Sequence, residues 1–260
     1  MDQRPFRSYA QNLEDIVLWR ALHRVQKGCY VDIGANEPRS NSVSRGFYEQ
    51  GWKGVHVEPS AECAARLRED RPDEVVHEVA LSDRCGELDF FLAPINGLST
   101  GIPAHMTPGS RPCRVAMRTL ASFGPGWPAP EVHWMKIDVE GMEASVLRGW
   151  DPALLRPWIL LIEATRPNST EPNHAEWEPL VLAAGYRFAL FDGLNRFYVS
   201  SERDELMDAV SSPANIFDLM AGCRIEAWAP YTGTPRVPPG RRLRHAMCRM
   251  LGLDAGGSNR

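Results

Sequence analysis

The feature that most constrains this chain is the alternation of short apolar runs with segments of helical period. Leu13, Ile16, Val17, Ala21 and Leu22 recur at helical spacing and predict an amphipathic helix over 12–25. A strand at 29–33, a helix at 42–50, a strand at 54–57, a helix at 61–68 and a third strand at 75–81 follow. Successive strand–helix–strand steps demand crossover connections, and so a parallel sheet with helices on both faces. Strand patterns return at 133–137 and 158–162, around a helix at 142–148 that Gly149 can end, and a helix at 176–184 closes at Gly185. Segments 186–191 and 196–199, joined by Asp192, Gly193, Leu194 and Asn195, read as a hairpin. The expected fold is α/β and Rossmann-like: a seven-stranded, mostly parallel sheet ending in an antiparallel hairpin. An extra strand is expected at 86–92, and the Pro- and Gly-rich stretch 94–112 as a long loop over the sheet. Unstructured loops of such length are uncommon unless they bind something.

The 260 residues, 43% of them hydrophobic, suffice for one large core. A domain over 1–228 is expected, residues 1–27 forming its helical cover, with a Pro- and Arg-rich tail over 229–260. A net charge of −4 gives no overall field to gather nucleic acid or an anionic membrane, and nucleic acid is excluded as a partner. No window approaches the roughly 18 apolar residues of a membrane span, and the first eight residues hold two arginines and no apolar run, so a cytoplasmic location is expected. Cys29, Cys63, Cys85, Cys113, Cys223 and Cys248 form no C-x-x-C pair and read as reduced thiols. In the tail, Leu243, Ala246, Met247, Met250 and Leu251 share one helical face beside Arg241, Arg242, Arg244 and Arg249. That basic amphipathic helix, 241–251, either packs on its own domain or touches a partner enzyme or the inner face of an anionic membrane.

Three strand ends carry the ligand signal. In Val31-Asp32-Ile33-Gly34-Ala35-Asn36, Gly34 lets the backbone turn tightly and approach a ligand. Glu58, followed by Pro59, ends the second strand twenty-four residues after Gly34, an offset that suits a carboxylate accepting both hydroxyls of a ribose. Ala80-Leu81-Ser82-Asp83 ends the third and can set an apolar contact and a polar group around adenine. The glycine-rich pyrophosphate turn of dinucleotide enzymes is absent, since its positions read Gly34, Asn36 and Arg39. Asp32 would repel a pyrophosphate but suits a ligand with sulfonium and ammonium groups.

The chain resembles the FkbM family of S-adenosylmethionine-dependent O-methyltransferases. The resemblance is carried by Ser8-Tyr9-Ala10-Gln11-Asn12-Leu13-Glu14-Asp15, Asp32-Ile33-Gly34-Ala35-Asn36, Glu58-Pro59, Gly97-Leu98-Ser99-Thr100, Lys136-Ile137-Asp138-Val139-Glu140-Gly141, Glu163-Ala164-Thr165-Arg166-Pro167-Asn168 and the hairpin segment 192–199. It implies a class I methyltransferase fold, S-adenosylmethionine as cofactor, and methylation of hydroxyls on sugars, glycans or secondary metabolites. It also implies that Gln11, Glu14 and Asp15 close one side of the cofactor pocket, and that a glycosyltransferase is a natural partner.

A hydroxyl acceptor needs a group to take its proton or a metal to acidify it. Asp138 ends the fourth strand as activator or as a helix N-cap; Glu140 is a ligand-facing acid or a first-turn carboxylate. Glu163 ends the fifth strand, so Asp138 and Glu163 together could hold Mg²⁺. His174 follows in a loop on the same sheet edge and is either a general base or a surface histidine. His56 and His133, inside strands, read as core. Two rival functions remain: a nicotinamide-dependent sugar oxidoreductase, and a non-catalytic module that binds cofactor or glycan.

Overall fold

The computed structural model describes residues 5–226 apart from Asn96, Pro125, Gly126 and Pro128. The tail expected to carry a basic helix, and Cys248 with it, lies outside the described residues. Seven strands form the central sheet: β1 (Cys29–Ile33), β2 (Lys53–Val57), β3 (Val75–His77), β4 (Trp134–Ile137), β5 (Ile159–Glu163), β6 (Tyr186–Phe191) and β7 (Asn195–Ser200). Their order is β6-β7-β5-β4-β1-β2-β3. All neighbours run parallel except β7, which is antiparallel to both β5 and β6. The carboxyl ends of β1, β2, β4 and β5 therefore share one edge.

Alternate residues of each strand feed two separate cores, which is why the strands read as continuous apolar runs. Val31, Ile33, Met135, Ile137, Leu160 and Ile162 pack on one face with Val146 and Leu147 of α4 (Glu143–Arg148) and Val181 of α5 (Glu178–Ala183). Tyr30, Trp134, Ile159 and Leu161 pack on the other with Ile16, Val17 and Leu18 of α1 (Glu14–Leu22) and Phe47 of α2 (Arg45–Glu49). Trp134 stacks on Tyr30 at 4.7 Å between ring centroids, at the centre of the sheet. The third helix, α3 (Ala61–Asp70), starts at Ser60, whose hydroxyl accepts from the Cys63 amide and caps it.

The structure corrects two expectations. The run 75–81 is not one strand: the chain leaves β3 after His77, and Ala80–Leu81 pairs instead with Met117 and Arg118. The stretch 94–112 is not all loop, since a strand at Arg111–Arg118 begins within it and pairs antiparallel with Gly86–Leu92. These segments form a second, three-stranded sheet. Between its long strands the chain makes one 3-10 turn at Pro103–His105. His56 and His133 are buried, as expected of core residues.

Candidate active site

The first wall of the site is the loop after β1. Gly34 has φ +73°, and a Cβ there would lie 1.8 Å from the Asp138 carbonyl oxygen, so the exits of β1 and β4 meet too closely for any side chain. Asn36 also takes a left-handed conformation, at φ 52°. Its amide donates to Glu58 Oε2 at 2.8 Å, while the Ser60 amide donates to Glu58 Oε1 at 2.8 Å. Glu58 thus ties the ends of β1 and β2 together and keeps a further lone pair on each oxygen. Burial pushes its pKa up to about 7 against the pull of those two amides.

Beneath this loop Asp32 is 1% exposed. Its Oδ2 accepts from the Ser44 hydroxyl at 2.6 Å, and its Oδ1 lies 3.5 Å from Lys136 Nζ with no hydrogen-bond partner. Burial opposes its charge, but Lys136, His56 and Ser44 outweigh burial and hold the carboxyl below its ordinary value. Lys136 also donates to the Gly34 carbonyl at 2.9 Å and pairs with Asp138 at 3.2 Å. Burial disfavours the ammonium too, yet Asp138 and Asp32 raise its pKa above the usual lysine value. Lys136 had no role in the expected site. A lysine inside an otherwise apolar strand was the signal, because such a charge is buried only with partners.

The second wall is acidic. Asp138, Glu140 and Glu163, at the exits of β4 and β5, have carboxylate oxygens within 4.8 Å of one another. Burial, with Asp138 and Glu143 beside it, raises Glu140 well above the carboxylate range. The same holds for Glu163, through burial and then Asp138, Glu140 and Glu143. Glu163 is 7% exposed, and its Oε2 has no hydrogen-bond partner. Three carboxylates so close cannot all ionise without a cation, so the cluster suits a positively charged group, a divalent ion or shared protons.

The turn carrying Asp138 is fixed from two sides. Glu143, pushed by burial up to about 7, accepts from the amides of Val139 and Gly141, both at 3.1 Å. From above, Thr100 Oγ1 donates to the Glu140 carbonyl at 3.0 Å, and His105 Nδ1 lies 3.2 Å from the same oxygen. Neither Glu143 nor His105 was singled out by sequence, since both reach the site from elements whose packing leaves no local pattern.

Of the remaining expected site residues, Glu14 is buried in α1, and its charge is felt by Lys136. Burial, then Asp192 and Asp15, drives Glu14 up to about 8; burial drives Asp15 up to about 7. Gln11 is exposed, Ala35 buried and Pro59 half-buried. Leu81 packs in the same core as Val57, Ser82 lies against Gly149 beyond α4, and Asp83 is exposed beside the Ser82 hydroxyl. No hydrogen bond or ion pair joins Leu81, Ser82 or Asp83 to Asn36 or Glu58. His174 lies 3.9 Å from Glu178, its Nδ1 buried without a partner, and it makes no hydrogen bond or ion pair with Asp138, Glu140 or Glu163.

A family of known proteins and several solved structures are similar to this chain. The family described as the methyltransferase FkbM domain matches residues 32–188. No curated protein matches the chain. Similar solved structures include a TehB-like SAM-dependent methyltransferase from Corynebacterium glutamicum, 10% identical over 72% of this chain and 88% of that one, TM-score 0.40. Precorrin-6y C5,15-methyltransferase from Geobacter metallireducens is 14% identical over 70% of this chain and 74% of that one, TM-score 0.39. DesVI of Streptomyces venezuelae is 12% identical over 74% and 91%, TM-score 0.37. The family match spans the Gly34 turn, Glu58 and the acidic cluster; the chain belongs to the FkbM methyltransferase domain family and is an S-adenosylmethionine-dependent methyltransferase.

Proposed function

We propose that this enzyme methylates a hydroxyl oxygen of a sugar, a glycan or a glycosylated secondary metabolite. The observation that carries the reading is the acidic cluster of Asp138, Glu140 and Glu163, which borders the cofactor loop through the Gly34–Asp138 contact. A hydroxyl-rich acceptor is held by acceptor oxygens, and the unpartnered Glu163 Oε2 is one.

The residues present fit the cofactor. Gly34 lets the exits of β1 and β4 close on each other, and the buried oxygens Asp32 Oδ1 and Glu163 Oε2 lack donors. When bound, S-adenosylmethionine supplies an electrophilic methyl group on a sulfonium centre. Glu58 accepts from the ribose hydroxyls, and Asp32, Gly34, Ala35 and Asn36 line the methionine side. Pro59, Leu81, Ser82 and Asp83 surround the base, while Gln11 and Glu14 close the pocket from the N-terminal segment. Asp138 and Glu163 orient the acceptor, alone or through Mg²⁺; His174 has less support, because Glu178 is its charged neighbour. Family membership removes the nicotinamide oxidoreductase from consideration. A glycan acceptor favours a glycosyltransferase partner and a cytoplasmic site of action, and among the described residues no helix is long and apolar enough to cross a membrane.

Two measurements test this reading. Titration calorimetry should show that Glu58→Ala weakens S-adenosylhomocysteine binding by about 1–3 kcal/mol, the cost of a lost buried acceptor. Tritiated methyl groups should pass from the cofactor to glycans extracted from cells lacking this protein, and chelation followed by Mg²⁺ decides whether the acidic cluster works with a metal. Label on nitrogen or carbon in place of ether-linked methyl, or no label at all, would overturn the hydroxyl acceptor.

A further inference from the structure

The segment between the strands Gly86–Leu92 and Arg111–Arg118 bends back on the active-site edge. Its start is pinned by Thr100, whose amide and carbonyl bond to Phe91 at 3.2 and 2.9 Å. Gly97 lies beside Asn36, where a Cβ would be 3.5 Å from Nδ2, so the segment spans from the β1 loop to the β4 turn. At that turn it presents His105.

Two consecutive left-handed residues, Glu140 at φ 53° and Gly141 at φ 99°, turn the Glu140 carbonyl toward this segment. A glutamate there is costly, and such strain persists where surrounding contacts impose it. The contacts are Thr100 Oγ1 and His105 Nδ1 on one oxygen. A Cβ on Gly141 would lie 2.5 Å from His105 Cε1, so the ring sits flush on the turn that bears Asp138. A carbonyl oxygen only accepts, so at 3.2 Å the ring nitrogen Nδ1 is the one that carries the hydrogen. Nε2 is then the bare, basic nitrogen, and it has no partner among the described residues. Backbone orientation of one ring nitrogen to fix the tautomer of the other is how proteins prepare a histidine to take a proton.

We propose that His105 is the general base of the reaction, a role that rests on the hydroxyl-acceptor reading above. The acceptor O–H bond breaks as its proton moves to Nε2. The freed oxygen pair forms the bond to the methyl carbon, and the electrons of the breaking S–CH₃ bond stay on sulfur. The products are the methyl ether, S-adenosylhomocysteine and an imidazolium that returns its proton to water. The Glu140 carbonyl, which accepts from Nδ1, keeps its hydrogen bond to the imidazolium.

The test uses the full chain and the glycan probe above. His105→Asn keeps an amide N–H able to reach the Glu140 carbonyl but lacks the basic nitrogen, and its turnover should fall roughly 10²- to 10⁴-fold with S-adenosylhomocysteine affinity unchanged. His105→Ala should regain turnover in added imidazole. Nitrogen NMR of the ¹⁵N-histidine-labelled chain with S-adenosylhomocysteine at neutral pH should show Nδ1 protonated and Nε2 bare. Wild-type turnover in His105→Asn, or a proton on Nε2, overturns the assignment to His105. Failure of the wild-type chain itself to label glycans is a different result: it overturns the acceptor class, and the base with it.

Discussion

At Lys136 a single ammonium answers carboxylates from three elements: Asp32 on β1, Asp138 after β4 and, through its field, Glu14 on α1. Removing it would leave Asp32 charged, 1% exposed and without its nearest cation. Lys136→Met should therefore cost about 3–5 kcal/mol of stability in urea unfolding, the penalty of an uncompensated buried charge. A loss under about 1 kcal/mol would mean that Ser44 and His56 hold Asp32 without help. Much of this site was legible as residue types at strand ends: Asp32, Gly34, Glu58, Asp138 and Glu163 lie where periodicity put them. Illegible were the groups that act across elements. Nothing near position 105 announces that its ring meets the carbonyl of residue 140, and Glu143 reads as a helical acid until its carboxylate is seen capping the turn before it.

Among the elements, the parallel strands were readable because burial on both faces makes them continuous apolar runs, and the hairpin because Asp192 and Gly193 punctuate it. Of the second sheet, only Gly86–Leu92 was. Arg111–Arg118 carries three arginines and a proline, and its residues are mostly part-exposed, so a one-sided strand reads as loop. The split after His77 was hidden because Val79, Ala80 and Leu81 remain apolar while changing sheets. At the centre of the sheet, Trp134 packs on Tyr30 and Phe47, but its indole nitrogen is buried with no hydrogen-bond partner. Trp134→Ala should cost about 3–5 kcal/mol as a cavity. Trp134→Phe should cost less than half as much, since it keeps the stacked ring and removes an unsatisfied donor. Equal losses in the two variants, read by chemical denaturation, would contradict this account of the packing.

For the molecule as a whole, the acids of the site set its response to pH. Glu14 titrates at about 8, and Asp15, Glu58 and Glu143 at about 7, against ordinary values of 4.5 for Glu and 3.8 for Asp. Between those limits the fold holds protons that the unfolded chain has released, so stability is full at the acid end of this window and falls as pH rises through 7 and 8. Asp32 acts in the opposite sense, but only as pH falls past its ordinary value of 3.8. The midpoint of thermal unfolding of the ligand-free protein should therefore drop between about pH 6 and about pH 8. A midpoint that rises over the same interval would show that these acids are ionised in the fold. The strand order has a consequence of another kind, in time. β1 lies inside the sheet, yet its partner on one side, β4, is made about a hundred residues later, after β2, β3 and the whole second sheet. Throughout that interval a nascent chain carries Val31 and Ile33 on a strand with one bare edge, the kind of surface that pairs with strangers. Synthesis that stalls before Trp134 would leave a polypeptide for chaperones to hold, whereas synthesis past Ile137 covers that edge and moves the bare one to β4 until Ile159–Glu163 follows.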